Sequence, residues 1–117
     1  MTATNTAAQK HQEQLQEQLE AHVRHEARAL ERLGSGYLTD ASDEDAGALD
    51  VELVVGHQRH DYRRGILLIA VGGPLIWAET NGHDLVTVYG RWGSAVAEYQ
   101  AVADGLDDII EELFTSR

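Results

Sequence analysis

Histidines, clustered carboxylates and a few serines are the side chains of this sequence that could do chemistry. His22 and His25 stand three apart in a helix-forming stretch, with Glu26 beside them and His11 three turns earlier. His57 and His60 flank a polar segment with Asp61. A catalytic zinc site needs three protein ligands around an open position. His22 and His25 offer two, beside an apolar helical stripe and not in a pocket, so no metal or other cofactor is expected. The pair could instead make helix pairing sensitive to pH, because histidine titrates near neutrality. Ser35, Ser42, Ser94 and Ser116 sit in loops or a tail, and none stands in a nucleophile-elbow context. Gly72-Gly73 lacks the phosphate-loop pattern and leads into Pro74 and a strand. No enzyme is expected.

The acids are more telling. Asp40, Asp43, Glu44, Asp45, Asp50 and Glu52 place six carboxylates in thirteen residues, with no basic residue among them. Asp104, Asp107, Asp108, Glu111 and Glu112 form a second group near the end. Twenty acidic and nine basic side chains give a formal charge of −11. Such a surface repels nucleic acid and anionic membranes and attracts basic surfaces.

The elements that must position these groups follow from periodicity. The chain has 117 residues, no cysteine and a 43% apolar fraction, which suits one folded domain without disulfides. Residues 1–8 are small and polar, a frayed start without the apolar run of a signal peptide. From about Gln9 to Leu33 the residues are helix formers. Leu15, Leu19, Val23, Ala27, Leu30 and Leu33 share one face. Gly34 suits a left-handed helix cap. The first half of this helix, Gln-rich and poor in apolar residues, is expected to project or to pair with another chain.

The run Ile66–Trp77, broken at Gly72-Gly73-Pro74, predicts a central hairpin. Val51–Gly56 predicts a strand before it, and Leu85–Tyr89 one after the Asn81-Gly82 turn signal. The polar connection 57–64 holds the one basic cluster. In Leu85–Tyr89, Leu85, Thr87 and Tyr89 alternate with Val86 and Val88, so this strand is expected either to be covered on both faces or to pair at the sheet's middle. Tyr99 or Gln100 to Phe114 predicts a second helix, with Val102, Leu106, Ile109, Ile110 and Leu113 as its stripe. The expected fold is α+β: a long N-terminal helix, a four-stranded antiparallel sheet and a C-terminal helix on one sheet face. The divisions are a helical segment 1–36, an acidic loop 37–50, and a sheet-plus-helix unit 51–117. Trp77 reads as core. Trp92, between Arg91 and Gly93, reads either as an exposed anchor for a partner or as a lid on the core at the sheet's end.

The residues Ile66-Leu67-Leu68, Gly72-Gly73-Pro74, Tyr89, Trp92-Gly93 and Glu98-Tyr99 resemble the pattern of a family of small proteins of phages, plasmids and other mobile elements. The resemblance covers about Tyr62 to Phe114. The chain departs from it at Ser94-Ala95-Val96, where members often carry an aromatic or a proline. It implies an accessory protein of a mobile element, a class that includes anti-CRISPRs and other inhibitors of host defence.

Two functional readings fit. In one, a small acidic, non-enzymatic inhibitor in the host cytoplasm binds a basic, nucleic-acid-handling protein. Its loop and last-helix carboxylates stand in for DNA phosphates, and it contacts neither nucleic acid nor membrane itself. In the other, the first helix makes a homodimer and the acids only solubilise it.

Overall fold

A computed structural model describes residues 7–40, 42–55, 62–81 and 83–115. The N-terminal residues 1–6, the connection that holds His57 and His60, and Gly82 lie outside the described residues. Helix α1 runs Ala7–Leu33, α2 is the single turn Gly36–Thr39, and α3 runs Leu106–Thr115. The strands are β1 (Asp50–Val55), β2 (Tyr62–Ala70), β3 (Leu75–Thr80), β4 (Leu85–Trp92) and β5 (Ala95–Val102). They form one antiparallel sheet in chain order, a five-stranded meander.

The expected count of four strands is corrected by β5. Gly93, at φ +60°, turns the chain at Gly93-Ser94 and returns it along β4. The segment Ala95–Val102 therefore extends the sheet. The last helix starts only at Leu106, after Gly105 at φ +78°. Ala95, Ala97, Tyr99 and Ala101 alternate with Val96, Glu98, Gln100 and Val102, the two-residue period of a strand. Alanine's helix propensity and the spacing of Val102 from Leu106 mask that period.

Both long helices lie on the same face of the sheet. Leu19, Val23, Ala27 and Leu30 of α1 are buried together with Val86, Val88 and Ala101. Ile110 of α3 sits over Gly65 of β2. Gly90 gives α1 its close approach: a Cβ there would stand 2.5 Å from Val23 Cγ2 and 2.8 Å from Leu19 Cδ1. The apolar stripe of α1 is thus spent on its own sheet, so the helical segment belongs to the same core as the strands. Its first core side chain is Leu15. Among the described side chains, the preceding turns carry no core residue, and they lengthen the molecule, which measures 62 × 35 × 23 Å.

Gly34, at φ +55°, ends α1 as its sequence predicts, its N–H donating to Leu30 O at 2.8 Å. Strand β4 lies inside the sheet, between β3 and β5. One of its faces is covered by α1; no described element covers the other.

Candidate functional site

Alternation along each strand decides what that second face carries. In β3, Ile76, Ala78 and Thr80 are buried beneath the helices, which turns Leu75, Trp77 and Glu79 to the opposite side. Strand register then assembles two rows across the sheet. One row is Asp50, Leu68, Trp77, Tyr89 and Glu98. The next is Glu52, Ile66, Glu79, Thr87 and Gln100. The first has an aromatic centre with a carboxylate at each end.

Trp77 and Tyr89 stack with centroids 5.3 Å apart and planes 20° from parallel, an arrangement that stabilises beyond simple burial. The Trp77 indole N–H points to Glu79 Oε2 at 3.4 Å. A groove of about 260 Å³ lies on one side of Trp77, walled by Ile66, Leu68 and Leu75 and edged by Asp50 and Glu52. A second, of about 520 Å³, lies toward Tyr89, Arg91, Val96 and Glu98. Arg91 is the one basic group among the described side chains of this face. Asp50, Glu52, Glu79 and Glu98 make it acidic overall.

The structure corrects the reading of Trp77 and decides between the two readings of Trp92. Trp77 is not core but half-buried on the uncovered face. Trp92 is not an exposed anchor: it ends β4 on the helix side, packs against the core and reaches Gly73. It closes the core as a lid. Ile66, Leu68, Tyr89 and Glu98, all within the quoted motifs, lie on the uncovered face. One sequence signal for that face is Glu79, two residues from Trp77 and therefore on the same side.

The carboxylates of the loop and the last helix do not form one surface. Asp43 takes a two-point contact from Arg32, at 3.0 and 3.2 Å, and also accepts the Asp45 N–H. The Arg32 contact, followed by that amide, holds the Asp43 carboxyl below the usual range. Asp45 meets Arg32 at 3.3 Å and His25 Nε2 at 3.1 Å. These contacts fasten the loop to α1 and use the charge internally. Asp40 accepts from the Ser42 N–H and hydroxyl and closes a local turn.

Asp107 is buried and accepts the Asp84 N–H at 2.6 Å. Asp84 in turn accepts from the N–H groups of Asp107 and Gly105. This reciprocal clamp ties the start of α3 to the β3–β4 loop. Glu44, Asp104, Asp108, Glu111 and Glu112 are exposed. Asp50 is exposed as well, on the uncovered sheet face and away from α3.

Among the described residues, no three His, Asp or Glu side chains converge as a metal site requires. His22 lies 4.0 Å from Glu26, whose other oxygen accepts the buried Tyr37 hydroxyl at 2.8 Å. Among those residues, no helix is long and apolar enough to cross a membrane. No family model matches the chain, and neither does any curated protein or solved structure.

Proposed function

We propose that this protein is a non-enzymatic interaction protein whose uncovered sheet face binds a basic surface of a nucleic-acid-handling protein. One observation carries the reading: the row Asp50–Leu68–Trp77–Tyr89–Glu98, apolar and aromatic at its centre and anionic at its ends. Stacked aromatics in a shallow groove supply area at low entropic cost, as binding hot spots do. Carboxylates at the rim select partners whose own rim carries Lys and Arg, and they steer the encounter.

Charge mimicry enters this reading in a narrower form. Asp50, Glu52 and Glu98 would take the place of phosphates, and Trp77 would take that of a stacked base. Asp43, Asp45 and Asp107 are not part of it, because their charge is used within the fold. The setting in a mobile element, with an anti-defence role in the host cytoplasm, rests on the resemblance of the Ile66–Tyr99 motifs.

The test is capture followed by competition. The full chain is immobilised, exposed to host lysate, and the bound protein is challenged with double-stranded DNA. The proposal expects DNA to displace it, and Trp77→Ala to capture little. A bound protein that ignores DNA, and that Trp77→Ala retains in full, would refute the reading.

A further inference from the structure

The meander leaves two sheet edges. Strand β1 is six residues long, has a register shift between Val54 and Val55, and carries Asp50 and Glu52. Shortness, a bulge and charge are the devices that blunt an edge. Strand β5 has only one of them. It runs eight residues without Pro, Gly or Lys, pairs with β4 over its whole length without a break, and has one charge, Glu98. Val96, Tyr99 and Val102 are 59%, 42% and 54% exposed.

The phase of the ladder fixes which backbone groups face outward. Ala103 N–H donates to Asp84 O at 2.8 Å. Alternate residues therefore turn inward to β4, namely Ala101, Tyr99 and Ala97. Val96, Glu98, Gln100 and Val102 turn their N–H and C=O groups outward. In agreement, the Val96 carbonyl accepts from Gln16 Nε2 of α1 at 2.7 Å; a carbonyl has a second lone pair to offer.

We propose that this edge pairs with β5 of a second copy, antiparallel about a two-fold axis at Tyr99, to give one ten-stranded sheet. The sequence of the strand selects that register. The helices of both copies share one side only if the even-numbered positions face each other. Centred on Tyr99, Val96 stands opposite the second copy's Val102, and Glu98 opposite its Gln100. Centred on Glu98, two carboxylates would oppose each other; centred on Gln100, Glu98 would oppose Val102. Only the first register matches apolar with apolar and charge with amide.

It also places the outward groups in hydrogen-bonded pairs, for about eight new backbone bonds. At the axis the two Tyr99 rings meet, each beside an Arg24 guanidinium 5.6 Å from its centroid. A groove of about 420 Å³ between α1 and β5 lies open at this point, lined by Glu20, Arg24 and Tyr99. The dimer joins the two uncovered faces on one side. The pairing does not depend on what that face binds.

Sedimentation velocity on the full chain at high micromolar concentration tests it. The wild type is expected at twice the 12.9 kDa chain mass. Val96→Glu/Val102→Glu opposes carboxylates at two places and should halve that mass. Val96→Lys/Val102→Glu opposes unlike charges at both places and should restore it. All three should give the same circular dichroism, because both positions are exposed. A wild type that stays at one chain mass overturns the proposal. So does a Glu/Glu variant that stays paired, or a Lys/Glu variant that associates no better than Glu/Glu. A single chain that still captures a DNA-displaceable protein would refute the pairing and leave the partner reading standing.

Discussion

Tyr37 is fully buried, and its hydroxyl donates to Glu26 at 2.8 Å. Burial, then the neighbouring Glu26 charge, pushes the phenol above its ordinary range. The neutral form is the one the fold stabilises. Its contribution is complete below the unfolded value of about 10 and is lost as pH rises beyond it. Stability to urea should therefore fall above about pH 10, and Tyr37→Phe should flatten that fall while costing about 1 kcal/mol near neutrality. A wild type and variant with the same alkaline slope would contradict this. Adjacent residues decide the site at the same scale. Ile76 and Trp77 are chain neighbours, so a strand can bury only one of them under the helices. Hydrophobicity favours both, and the assignment rests on their neighbours: Ala78 and Thr80 follow Ile76, and Glu79 follows Trp77. Trp92 shares its face with Val88 and Gly90 and so belongs to the core side. The total charge was legible in the sequence, but its distribution was not. Whether Asp43, Asp45 and Asp107 are solvated depends on contacts from Arg32, His25 and Asp84, which lie up to 23 residues away.

At the scale of elements, two joints hold the helices to the sheet. Gly90 lets α1 approach β4, and an added methyl would strike Val23 and Leu19. Gly90→Ala should destabilise the fold by about 1–3 kcal/mol, read as a lower urea midpoint. An unchanged midpoint would mean that α1 can shift without cost. Asp107 holds α3 to the β3–β4 loop through the Asp84 N–H. Asp107→Ala leaves that amide without its acceptor and should cost about 1–3 kcal/mol. Amide hydrogen exchange should quicken first in α3, and a uniform change across the chain would contradict the clamp. The long helix, its Gly34 cap and the central hairpin were legible because their periods are strong and their punctuation is unambiguous. Strand β5 was not, because small residues serve either period and only pairing with β4 decides between them.

At the scale of the whole molecule, a formal charge of −11 acts in opposite directions on the two proposed contacts. Two like-charged copies repel each other, so added salt should strengthen the β5 pairing. A basic partner is attracted, so salt should weaken its binding. The sheet has one face closed by helices and one that no described element covers, and that second face gathers the Trp77–Tyr89 stack within an acidic rim. The most direct measurement of that claim is the affinity of the captured, DNA-displaceable partner across a salt series, for the wild type, Glu98→Gln and Trp77→Ala. Wild-type binding should fall steadily as salt rises, Glu98→Gln should show a shallower fall, and Trp77→Ala should lose roughly thirtyfold at every salt concentration. Binding that is indifferent to salt and unchanged by Trp77→Ala would contradict the account.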